Sequence, residues 1–68
     1  MSPKSLSEDE ILRAALKKEE NAYAFYDRLL QSSGVEFIRE LLVTLRDEEA
    51  KHIRLIKDKL ARLNAGRG

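Results

Sequence analysis

His52 is the only histidine of the chain, and it stands three residues after a glutamate in the motif Glu49-x-x-His52, within an otherwise apolar helical stripe. A second acid, Glu19, interrupts the apolar stripe of the preceding helical segment. Carboxylates and an imidazole are costly to withdraw from water unless something compensates them. Oxygen and nitrogen donors without sulfur suit iron, manganese or zinc. Residues at i and i+3 project from one helix face about a turn apart, so Glu49 could bridge two ions while His52 terminates one. Glu19, Glu49 and His52 are therefore the candidate metal ligands and catalytic residues. Taken singly, His52 reads as a partly buried histidine and Glu19 as an edge residue reaching solvent. Their shared level and spacing favour the metal.

Two helices must position these groups. Leu6-Ser7-Glu8-Asp9-Glu10-Ile11 has the capping-box and hydrophobic-staple spacing of a helix start. Leu12, Ala15, Leu16, Glu19, Ala22, Tyr23, Tyr26, Leu29 and Leu30 then recur at three- and four-residue steps, predicting a helix over about 7–32. Gln31-Ser32-Ser33-Gly34 stops it, with Gly34 suited to a left-handed residue and Ser33 with Glu36 able to cap the next helix. That second helix is expected over about 35–63, with Ile38, Leu41, Leu42, Leu45, Glu49, His52, Ile56, Leu60 and Leu63 on its stripe and a frayed tail from Asn64. Asp47 with Lys51 and Asp58 with Arg62 have the order of helical ion pairs. The remaining lysines and arginines read as a solvated face. Phe25 and Phe37 fall off the main stripe and suit contacts between dimers.

Composition narrows the class. Of 68 residues 37% are charged and 6% aromatic, as in surface-rich helices. The net charge of +1 comes from interspersed acids and bases, which argues against nucleic acid and against a membrane surface. Without cysteine there are no disulfides and no thiolate metal site. The N-terminal stretch lacks an apolar signal core, and a soluble, cytoplasmic protein is expected. One domain over 1–68 is short for burying a core alone, so an oligomer is expected.

The expected fold class is all-α: a two-helix antiparallel hairpin that dimerises into a four-helix bundle. A turn near residues 33 and 34 brings together residues whose numbers sum to about 67. Leu29 then meets Ile38, Tyr26 meets Leu41, Ala22 meets Leu45, and Glu19 meets Glu48 or Glu49. A hairpin cannot close around its own stripe, whereas two related by a two-fold axis can. The bundle core then holds four glutamates and two histidines, the ligand set of carboxylate-bridged di-iron and di-manganese bundles. Four carboxylates balance two divalent cations. Glu20 lies toward the polar side, and Glu48 is left as a neighbouring acid, a further ligand or a solvent-facing group.

Ala15-Leu16-Lys17-Lys18-Glu19-x-x-Ala22-x-x-Phe25-Tyr26, followed by Leu45-x-x-Glu48-Glu49-x-x-His52, resembles one half of a rubrerythrin or ferritin-like bundle over residues 11 to 60. It is also similar to the encapsulated ferritins, half-bundles whose centre forms between subunits. The resemblance implies that Glu19, Glu49 and His52 bind two Fe ions per dimer (Mn or Zn being alternatives), with Tyr26 close by. On the stripe itself Tyr23 and Tyr26 read as core packing with a hydroxyl satisfied by a carboxylate, and Glu48 as a neighbouring acid. It implies a homodimer or higher homo-oligomer that oxidises Fe(II) with O2 or H2O2, as a ferroxidase or a peroxide reductase. An external electron donor or an encapsulin shell would be a further partner. Only one half of the bundle is present, with no cysteine-rich electron-transfer domain and no recognisable shell-targeting extension after Leu63. A structural or metal-sequestering bundle without redox turnover and a metal-free helical interaction module are the competing readings.

Overall fold

The computed structural model describes residues 5–66. Residues 1–4 and 67–68, and with them the reading of the N-terminal stretch, lie outside the described residues. Two helices, α1 (Glu8–Ser32) and α2 (Glu36–Gly66), pack against each other as a hairpin, with no strand among the described residues.

The start of α1 follows local chemistry. The Ser7 N–H donates to Glu10 Oε1 at 2.9 Å, and the Glu10 N–H donates to Ser7 Oγ at 3.1 Å, completing the capping box. Glu8, Asp9 and Glu10 set negative charge against the positive end of the helix. Arg13 Nε donates to Asp9 one turn back at 2.8 Å.

The end of α1 differs from the expectation. Ser33 caps it in an extended conformation (φ −109°, ψ 132°), and Gly34 does not adopt a left-handed φ. Ser33 makes no reciprocal box with Glu36. Its Oγ instead accepts from the Val35 N–H at 3.2 Å, and the Val35 carbonyl accepts the first bonds of α2 from Ile38 and Arg39. The open carbonyls of α1 are met by a side chain. Arg39 Nη1 donates to the Leu30 carbonyl, and also to the Ser33 carbonyl at 2.9 Å. A guanidinium carries enough donors to satisfy two carbonyls, which replaces the left-handed cap.

At its other end α2 continues through Asn64 to Gly66, past the expected limit at 63. Leu60 is buried and Leu63 half-buried, so packing holds the last turns, and no proline or left-handed residue stops them.

Leu30, Leu42 and Leu60 form the buried core, and no described side chain is completely enclosed. Half-buried residues on the seam include Ala15, Leu16, Glu19, Ala22 and Tyr26 of α1, with Val43, Arg46, Glu49, Ala50, Ile53 and Ile56 of α2. Ile38 and Leu41, expected on the seam, are exposed. Cross-helix partners also sit later on α2 than the turn predicts. Leu30 with Arg39, Tyr23 with Arg46, Glu19 with His52 and Asp27 with Arg46 sum to 69, 69, 71 and 73. Side chains lean toward the N-terminus of their own helix, and in an antiparallel pair the two leanings are opposed. Each partner is thereby displaced along α2.

Two basic residues expected on the solvated face are structural. Arg46 Nη1 donates to Asp27 Oδ1 at 2.8 Å, and its guanidinium lies 5.7 Å from the Tyr23 ring centroid. Arg39 closes the turn as described. Lys51 pairs with Glu48 at 3.5 Å, while Asp47 lies 3.9 Å from Arg46 Nε. The expected Asp47–Lys51 pair is displaced by these contacts, and Asp58 and Arg62 form no ion pair among the described residues.

Candidate metal centre

Near the middle of the hairpin Glu19, Glu49 and His52 converge, as their spacing predicts. One ligand atom from each lies within 4.8 Å of the others. The imidazole Nδ1 of His52 is 2.8 Å from Glu19 Oε1 and 3.4 Å from Glu49 Oε1. The shorter contact is a hydrogen bond between helices, and the longer one spans a single turn of α2.

The three side chains are unequally accessible. Those of Glu19 and Glu49 are 20% and 18% exposed, while that of His52 is 52% exposed. The two carboxylates are the more shielded groups, and the imidazole is the one open to solvent. Glu49 Oε1 is buried without a hydrogen-bond partner. An acceptor without a donor in a group of three potential ligands is a place where a cation would satisfy an unmet polar atom. The donor set fits a metal ion.

The three groups perturb one another's proton affinity. The hydrogen bond with Glu19, then burial and the Glu19 charge, hold the Glu49 carboxyl above the ordinary carboxylate range. The same bond to Glu49, followed by that to His52, holds Glu19 below it. His52 is raised by its hydrogen bond to Glu19 against the opposing effect of burial. Two carboxylates so close disfavour each other's ionisation, a repulsion that a divalent cation would relieve.

The neighbours divide. Tyr26 is half-buried and meets Phe25 edge-on at 5.5 Å between ring centroids. Tyr23 lies beneath Arg46 on the other flank of α1. Glu48 is exposed and held by Lys51, outside the cluster. Glu20 is exposed, as expected. The interhelical Asp27–Arg46 pair escapes a stripe drawn from apolar residues alone. Its signal is that Arg46 sits three residues before Glu49 on the inner face, opposite an acid one turn beyond Tyr23.

Two helices, one seam and a carboxylate–imidazole cluster define the class as a helical hairpin with a candidate metal centre. No described helix is long and apolar enough to cross a membrane. Comparison with protein-family models, curated proteins and solved structures finds no match to this chain.

Proposed function

We propose that this chain is a non-haem metal-binding protein of ferritin-like type. Two copies form a four-helix bundle, and their clusters join as a di-iron centre that oxidises Fe(II) with O2 or H2O2. The observation that carries this reading is the meeting of Glu19, Glu49 and His52 within 4.8 Å. A single hairpin offers two carboxylates and one imidazole, half the ligand set of a carboxylate-bridged pair of ions. The resemblance to ferritin-like half-bundles supports the same chemistry.

Glu19 and Glu49 would bind a metal through their carboxylates, and neutral His52 would offer its unprotonated ring nitrogen. Metal uptake would compete with protons for the same oxygen and nitrogen atoms. Iron held there would supply the electrons and the Lewis acidity of the reaction, two Fe(II) giving the two electrons that with two protons would take O2 to H2O2 or H2O2 to two waters. With no cysteine, the chain carries no thiol relay for repeated reduction. Ferroxidase activity is accordingly favoured over sustained peroxide reduction.

The test compares Fe(II) oxidation by the protein with that by Glu49→Ala and His52→Ala, with circular dichroism confirming their helices. The expected result is oxidation faster than in buffer, lost in both variants. Tight metal binding without oxidation would favour the structural bundle. No binding at all would favour a metal-free interaction module.

A further inference from the structure

We infer that the second copy docks with its α2 antiparallel to α2 of the first, in a register centred on Ala50. This inference rests on the shared metal centre proposed above and adds the orientation and alignment of the subunits.

Its basis is the face of α2 that the hairpin leaves uncovered. Ile38, Leu41, His52 and Leu55 are exposed there and recur at helical spacing with half-buried Leu45 between them, and Leu41 and Leu55 are both 56% exposed. This stripe flanks the cluster, with His52 on its rim.

The positions of the stripe, though not all of its residue types, are symmetric about residue 50. Leu45 and Leu55 are equidistant from it, as are Glu48 and His52, and Leu41 and Lys59. An antiparallel partner with its axis at that level sets Leu45 against the partner's Leu55. Glu48 comes to the level of the partner's His52, and Leu41 meets the stem of the partner's Lys59. Because Glu49 and His52 straddle Ala50, both clusters arrive at the same height.

A parallel pair would also place the clusters level, so charge decides the direction. Residues 36–50 hold five acids and two arginines, a formal −3. Residues 51–66 hold five bases and Asp58, a formal +4 with His52 neutral. Antiparallel docking sets each acidic half beside a basic half, whereas parallel docking sets like charge beside like along the whole contact.

The chain has no cysteine, so disulfide trapping reports the register directly. Leu45→Cys and Leu55→Cys are made separately, then oxidised alone and as an equimolar mixture, with the molar mass of the unmodified protein followed by sedimentation. In the inferred dimer, like positions lie about ten residues apart along the helix, near 15 Å. A disulfide needs Cα atoms within about 7 Å. The expected result is a covalent heterodimer of the two variants in the mixture, at least severalfold above the self-linked product of either variant alone. Self-linked dimers of each variant, without enrichment in the mixture, would overturn the antiparallel register. If such protein still binds iron between its subunits, the shared centre stands without it. A protein that sediments as a monomer at every concentration would overturn both.

Discussion

His52 Nδ1 and Glu19 Oε1 are separated by 33 positions in sequence and by 2.8 Å in space. This contact ties α1 to α2 at the cluster and fixes which ring nitrogen faces inward. It also raises the proton affinity of His52. Glu19→Gln keeps an acceptor oxygen and removes the charge. The His52 titration midpoint, followed by NMR in metal-free protein, should move down in this variant. An unchanged midpoint would contradict the role of Glu19.

The pH dependence of metal-free stability follows from the same contact. The folded-state pKa of His52 is raised above its ordinary value of about 6.5. Its contribution is fully present below that value and is lost as pH rises through the higher folded value. Glu49, also raised, loses its contribution in the same direction within a more acidic window. Glu19, held low, loses stability only as pH falls through its depressed value. Urea unfolding in chelator should therefore show a lower midpoint at pH 8.5 than at pH 6. Zn(II) affinity should increase over the same interval as competing protons leave. A rising urea midpoint would contradict the assignment.

Adjacent leucines should behave differently. Leu42 is 8% exposed and Leu41 is 56% exposed. Leu42→Ala removes core packing and should cost about 2–3 kcal/mol of folding stability. Leu41→Ala should leave the hairpin's helicity intact at high dilution and weaken only its association. Denaturation with sedimentation at several concentrations separates the two effects. Equal losses from both substitutions would contradict the division into seam and outer face.

Gly34→Ala tests the turn. Gly34 does not use a left-handed φ, and a Cβ there would meet nothing within 4 Å. The substitution should raise stability by about 0.5 kcal/mol by restricting the unfolded chain. A left-handed glycine would give a loss of similar or greater size.

The capping box at Ser7 and the Glu49–His52 pair are legible in the sequence because each depends on short-range spacing, and Glu19, 33 positions from His52, joins them because the antiparallel hairpin brings the two helix midpoints to one level. The turn is not legible. Ser33 and Gly34 carry familiar stop signals, yet the α1 carbonyls are closed by Arg39, a partner supplied by the other helix. Arg46 escapes for a related reason. A long cation on the inner face reads as polar until Asp27 and the Tyr23 ring are seen beside it. The register is shifted because side-chain lean, unlike turn position, is invisible in a one-dimensional pattern. Ile38 and Leu41 belong to a periodic stripe, but periodicity does not say whether a face meets its own hairpin or another copy.

The central claim is most directly tested by anaerobic Fe(II) titration of metal-free protein, with the molar mass of the loaded species measured in the same solution. The account predicts saturation at about one Fe(II) per chain in a dimer or larger even-numbered assembly. Failure to bind Fe(II), or saturation of a species that stays monomeric, would contradict a di-iron centre shared between two hairpins.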